Sequence, residues 1–338
     1  MVCFYYYVTL IIREKKMRKL FTTALVAMSV SLPVGAMAQE WDMPTPYSDK
    51  VFHTANIIEF AKDIETATNG SFKITVHSAG SLFKHPEIKN AVRGQQVPIG
   101  EFFLSRLSNE DAAYGVDSQP FVATSYEDAE KLWAAQKPVV TELLAEQGLM
   151  PLFAVPWPPQ GLYTKAEVKS VADLKGLKFR AYNAALEKFA TLAGAAPTQV
   201  EAPDIPQAFS TGQVEAMITS PSTGVSSKAW DFVSTYTPIN AWVPKNIVVV
   251  NKKAFDGLDA SVQAAVLEAA EAAEARGWDM SRAETDAKTA TLAENGMNVV
   301  TPSAELMDGL KAIGAQMQVE WNESASDAAK SIIKNYSN

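Results

Sequence analysis

Asp173-Leu-Lys-Gly-Leu-Lys-Phe-Arg-Ala-Tyr-Asn183 limits the possible folds more than any other stretch, because it reads as a strand feeding straight into a helix. Leu177, Phe179 and Ala181 alternate with Lys178, Arg180 and Tyr182, which is strand periodicity. Asp173 and Gly176 make a turn before it, and Asn183 ends it ahead of a helix reaching Leu192. Arg180 therefore stands at or near the C-terminal end of a strand, the edge at which open α/β sheets bind ligands. Its planar fork of donors suits a carboxylate. An ordinary surface salt bridge is the competing reading.

The same strand and helix grammar occurs twice. In the first half, Phe52 to Thr68 repeats Phe52, Ala55, Ile58, Ala61 and Ile64 at three-residue spacing, as an amphipathic helix does, and Asn69-Gly70 stops it. Phe72 to Val76 alternates as a strand, Pro86 to Arg93 is a helix, and Val97 to Gly100 leads into a strand ending near Glu101. In the second half, Pro206 to Ser210 is a helix, Gly212-Gln213 closes it, and a strand ends near Thr219. Ala91-Val-Arg-Gly-Gln95 is echoed by Ala208-Phe-Ser-Thr-Gly-Gln213. The pattern predicts two related α/β lobes with Glu101 and Thr219 at matching strand ends. Pro156-Trp157-Pro-Pro159 and Trp242-Val-Pro244 are stiff, non-helical passages suited to lobe crossovers. Ser261 to about Asn295 is helical, as one long helix or as two that bend at Gly277.

At 338 residues, 47% hydrophobic and 20% charged, the chain has the length and composition of a two-lobed globular protein. A formal charge of −8 excludes nucleic acid as an expected partner. Lys15, Lys16, Arg18 and Lys19 precede an apolar run, Leu20 to Val34, and Ala36-Met37-Ala38 is an A-x-A cleavage site. The expectation is a signal peptide cleaved after Ala38, with Met17 as the more natural start and a secreted mature chain. Its removal takes away Cys3, the only cysteine, and leaves no disulfide.

A search for chemistry yields little. His53, His77 and His85 lack metal-ligand spacing, so no metal or cofactor is expected. No nucleophile elbow, Walker A or dinucleotide fingerprint occurs. Ser220-Pro-Ser-Thr-Gly224 reads as a turn and helix cap before it reads as a nucleophile loop. What remains is a set of polar and aromatic residues at predicted strand ends and crossovers: Glu101, costly to bury without a partner, and Trp157 and Trp242, which serve either the core or a pocket wall.

Taken together, Leu174-Lys-Gly-Leu-Lys-Phe-Arg180, Gly194-Ala195…Pro197, Ala208…Thr211-Gly-Gln-Val-Glu215 and Val249-Val-Asn-Lys-Lys253 resemble the DctP-type solute-binding proteins of TRAP transporters, over essentially all of the mature chain. The resemblance implies an α/β, two-lobed periplasmic binding protein fold, with crossing strands and a long helix spanning both lobes. The implied division is 39–160 with about 248–282 as one lobe, and about 161–247 with 283–338 as the other. Arg180 falls on the family arginine that pairs with a ligand carboxylate. Where the family often carries a Gln-Glu-Asn-Pro-like run, this chain has Met217-Ile-Thr-Ser-Pro221, which puts Thr219 and Ser220 in place of an amide. The residue after Ile99-Gly100, Glu101, is marked as pocket-facing. It would face Arg180 as an ion pair or take a ligand cation or hydroxyl.

The expectation is then a monomeric, non-enzymatic subunit that captures a small organic carboxylate or zwitterion and delivers it to TRAP membrane subunits. Arg180, Asn183, Thr219 and Ser220 would bind the solute, Trp157, Tyr182 and Trp242 would wall the site, and Glu101 would add a charge. The alternatives are a secreted carboxylate-based lyase or hydrolase, or a binding protein that feeds a sensor.

Overall fold

The structure is a computed structural model that describes residues 39–337. The targeting segment lies outside the described residues. The first part of the chain runs β1 (Gln39–Pro44), α1 (Phe52–Ala67), β2 (Phe72–His77), α2 (His85–Arg93), β3 (Ile99–Phe103), two 3-10 segments within 104–118, α3 (Tyr126–Ala145) and β4 (Leu149–Pro156). The second runs β5 (Gly161–Thr164), β6 (Lys178–Ala181), α4 (Ala184–Leu192), β7 (Ala196–Gln199), α5 (Ile205–Ser210), β8 (Ala216–Thr219), α6 (Pro221–Ser226) and β9 (Thr235–Thr237). The chain then returns through β10 (Lys245–Asn251) and α7 (Lys252–Asp256), and ends with α8 (Ala260–Glu294), β11 (Asn298–Val299), α9 (Ala304–Ser324) and α10 (Asp327–Ser337).

Two sheet systems result. β1 and β2 pair in parallel beside the antiparallel set β3-β10-β4, and the second lobe holds a six-stranded sheet in the order β11-β9-β5-β8-β6-β7. The chain crosses between them at 157–160 and at 241–244, the two proline-rich passages. There Trp157 N–H donates to Pro244 O at 2.8 Å, and Gln160 N–H donates to Trp242 O at 3.1 Å. The crossovers thus hold each other side by side.

α8 remains one helix of 35 residues through Gly277. The glycine is there for closeness rather than for bending: a Cβ would stand 2.4 Å from Val155 Cγ2 and 2.8 Å from Asn56 Nδ2. Val262, Val266, Ala269 and Ala273 pack into the first-lobe core with Ile57, Phe60 and Ile64 of α1, whereas Leu292 packs into the second-lobe core with Tyr163 and Tyr236. The helix therefore touches both lobes.

Three sequence expectations change. In α1 the buried face includes Ile57 and Phe60, while Ala55 and Ile58 are half-buried, because a strict three-residue row drifts off a 3.6-residue helix. Glu101 is in the middle of β3, opposite Val248, because Phe102 and Phe103 are both buried and carry the strand onward. α10 does not join the second lobe: Ala329 and Ile332 pack with Ala113, Val116 and Leu132, and Tyr336 donates to Val122 O at 3.0 Å. The helix α3 and strand β4 have no counterpart in the sequence reading.

Candidate functional site

A cavity lies where the crossovers meet the ends of β6, β7 and β8. Tyr47, Phe103, Trp157 and Tyr182 supply its rings, and Gln160, Arg180, Glu201, Thr219 and Thr223 supply polar groups. His85, Arg106 and Ala202 complete the wall.

Arg180 is 3% exposed. Its Nε donates to Val200 O at 2.9 Å, and its guanidinium lies 4.9 Å from the centre of the Tyr182 ring. Among the described residues its terminal nitrogens meet no hydrogen-bond partner and no carboxylate within salt-bridge distance. Burial lowers its pKa to about 10, so at neutral pH it is a desolvated cation facing the cavity. A desolvated guanidinium is stabilised best by a planar anion that takes its free N–H groups.

Glu201 follows the end of β7 and reaches across to the first lobe. Its Oε1 accepts from Arg106 at 2.7 Å, and its Oε2 accepts from His85 Nδ1 at 3.0 Å. His85 Nε2 accepts the Phe103 N–H at 3.0 Å, which leaves the imidazole proton on Nδ1. Burial pushes the Glu201 carboxyl up, but the His85 hydrogen bond and the charges of Arg106 and Arg180 outweigh it and hold the pKa at about 2. Glu201 is thus an acceptor at the cavity wall at any neutral pH.

Of the residues singled out in the sequence, Arg180, Tyr182, Trp157 and Thr219 line the cavity, and the other four stand behind it. Asn183 caps α4, with its Oδ1 accepting Leu186 N–H at 2.8 Å, and its Nδ2 donates to Ser105 Oγ at 2.8 Å across the lobes. Ser220 caps α6 through the Thr223 N–H at 3.1 Å. Trp242 Nε1 donates to the Tyr182 hydroxyl at 2.9 Å, and that hydroxyl donates to Gln160 Oε1 at 3.1 Å. Trp242 therefore fixes Tyr182 from behind.

Glu101 does not face Arg180. It shares a strand face with Ile99 and Phe103, where its carboxylate accepts from Thr45 Oγ1 and, at 2.8 Å, from Asn246 Nδ2. Tyr47, His85, Arg106 and Glu201 escaped the sequence reading. Only Glu201 had a usable signal, an acid just past a strand end, the rule that picked out Arg180.

Burial raises the Glu101 pKa to about 7 against an ordinary 4.5, although the bonds from Thr45 and Asn246 pull the other way. The folded chain therefore holds this proton more tightly than the unfolded chain does. The stability it contributes is complete below pH 4.5 and is lost as pH rises through 7. A shift of that size corresponds to about 3 kcal/mol. Glu101→Gln should therefore be more stable than the parent at pH 8, by an amount of that order, with the gap closing toward pH 4.5. Urea denaturation at several pH values reads this directly, and a pH-independent difference would contradict it.

This fold and site place the protein in a known class. Residues 45–327 match the family described as bacterial extracellular solute-binding protein, family 7 (DctP), and the chain belongs to that family, the DctP-type binding proteins of TRAP transporters. It is 44% identical to DctP7, a Bordetella pertussis extracytoplasmic solute receptor binding pyroglutamic acid, over 89% of this chain and 100% of that one, with a TM-score of 0.88. A marine metagenome TRAP solute-binding protein specific for pyroglutamate is 42% identical over 89% of this chain and 99% of its own, with a TM-score of 0.87. A solute-binding protein of Albidiferax ferrireducens is 25% identical over 214 residues, 61% of this chain and 62% of its own length. The chain thus spans less than two thirds of that curated relative.

Proposed function

We propose that this chain is the periplasmic solute receptor of a TRAP transporter, and that its ligand is pyroglutamate or a small carboxylate of the same shape. The observation that carries this is Arg180, a buried cation with free N–H groups facing a cavity walled by aromatic rings. The ligand carboxylate would take the guanidinium. Glu201, an ionised acceptor, suits a lactam N–H, and the Thr219 hydroxyl suits the lactam carbonyl. The rings of Phe103, Trp157 and Tyr182 suit the flat apolar body of a five-membered ring. Relatives above 40% identity that bind pyroglutamate support the assignment. The lobes then hold the solute for membrane subunits that accept it, and the solute leaves chemically unchanged.

Calorimetry with pyroglutamate, proline, glutamate and succinate tests the ligand. Pyroglutamate should bind tightest and return unaltered from the complex. At a hundredfold excess over Kd it should stabilise the fold by about 2.7 kcal/mol. Binding confined to neutral sugars or metal ions would overturn the carboxylate reading, and turnover of the ligand would overturn the receptor reading.

A further inference from the structure

Behind the cavity wall lies a buried polar chain that touches no part of the cavity at its far end. Glu101 Oε1 accepts from Asn246 Nδ2 at 2.8 Å, and the other carboxylate oxygen accepts from the Thr45 hydroxyl. With its nitrogen committed to Glu101, Asn246 turns its carbonyl oxygen the opposite way. That oxygen accepts from Trp157 Nε1 at 2.9 Å and, more weakly, from the Tyr47 hydroxyl at 3.4 Å. Trp157 and Tyr47 both line the cavity.

An asparagine side chain can sit either way round, and its partners decide which. An ionised carboxylate only accepts, so it selects the amide nitrogen. With the amide reversed, an NH2 group would meet the Trp157 N–H, donor against donor, and a carbonyl oxygen would meet the carboxylate. The other neighbours of the Trp157 ring are His53, Phe52 and Tyr47, at centroid distances of 4.1, 5.7 and 5.0 Å. They hold its plane and leave its N–H to Asn246.

We propose that Glu101 is a positioning residue of the ligand site, fixing the Asn246 amide and through it the Trp157 indole and the Tyr47 ring. The proposal rests on reading this cavity as the ligand site. It also assigns a role to an acid that β3 buries with no cation beside it among the described residues.

The titratable groups packed around this chain are Tyr47 on the loop after β1, His53 on α1 and His85 on α2, with Glu201, Arg106 and Arg180 beyond His85. Burial holds His53 at about 3 and raises Tyr47, so both stay neutral between pH 6 and 8, and it lowers His85, whose Nε2 accepts the Phe103 N–H as a neutral ring does. Glu201 stays ionised and Arg180 stays charged over the same range. Glu101 is the member that changes there. On protonation the Thr45 hydroxyl can turn to accept the new O–H, and the bond from Asn246 then loses its charge assistance. The pull on Trp157 relaxes in step.

The test is a two-dimensional NMR spectrum of the ligand-free protein with 15N-labelled tryptophan, with the Trp157 indole peak assigned through Trp157→Phe. The peak should move between pH 6 and 8 with a midpoint near 7. It should stay fixed over that range in Glu101→Gln, which keeps the shape and removes the titration. A peak that is pH-independent in the parent, or that titrates alike in Glu101→Gln, overturns the proposal. A second arm measures pyroglutamate affinity: Glu101→Leu should weaken it roughly tenfold, and by much less in a Trp157→Phe background, since coupled residues are not additive. Additive losses would mean that Glu101 acts on the fold and not through Trp157. If pyroglutamate does not bind the parent at all, the ligand reading fails while the indole titration still decides this one.

Discussion

Arg180→Ala should abolish useful capture of a carboxylate while leaving the empty protein as stable as before or more so. The two effects separate because of how Arg180 is held. Among the described residues its one hydrogen-bond partner is Val200 O, and its guanidinium lies over the face of Tyr182. Removing a buried cation with so little compensation costs the ligand-free fold little. For the complex, the ligand carboxylate would remain desolvated and unpaired, a loss of roughly 2–5 kcal/mol. That corresponds to a Kd raised from about thirtyfold to several thousandfold. Arg180→Lys should recover only part of the loss, since an ammonium cannot make the parallel pair of bonds. Calorimetry gives the affinities and thermal melts of the ligand-free variants give the stabilities. Parent-like affinity in Arg180→Ala would place the carboxylate elsewhere.

Asp117→Ala should be among the most destabilising single substitutions in the molecule. Asp117 and Lys245 are both fully buried, with Nζ 3.5 Å from the carboxylate. The carboxylate also accepts the Lys245 N–H at 3.0 Å and the Ser118 hydroxyl at 3.2 Å. Burial raises the aspartate pKa and lowers the lysine pKa, and it outweighs the mutual attraction in each case. Such a pair adds little net stability while intact, yet breaking it strands the partner, at a cost of about 3–5 kcal/mol. Lys245 also opens β10 next to the second crossover, so the stranded charge would sit where the chain returns to the first lobe. Replacing both residues, as Asp117→Ala with Lys245→Met, should restore much of the loss. Urea denaturation of the three variants decides it: equal stability of parent and Asp117→Ala would rule the argument out.

What the sequence displayed and what it hid divide along a physical line. β6, α4, α5 and β8 were legible to within a residue or two because each is written in local periodicity and closed by its own turn residues. Both crossovers were legible because proline is incompatible with continuing a helix or an inner strand. Arg180 was legible as a strand-end residue. By contrast, β4 is interrupted by Pro151 and paired through a register shift opposite Val248 and Val249, so its strand pattern is broken. Glu101 looked like a strand end because an acid normally marks one. Nothing nearby in sequence announces Thr45 or Asn246, the partners that let it stay buried. His85, Arg106 and Glu201 meet only because two lobes meet, and no local window contains that. Asn183 and Ser220 went to helix caps, the commonest use of such side chains just before a helix.

Several ties between the lobes are made by residues that adjoin the cavity: Asn183 next to Tyr182 reaches Ser105, and Glu201 next to Ala202 reaches His85 and Arg106. Part of what ties the lobes together is therefore the wall of the cavity itself. In the receptor proposed above, grip on the solute and the hold between the lobes would be set by overlapping atoms. A substitution that improves one is felt by the other, so a receptor tuned for scarce solute will also be slow to let go.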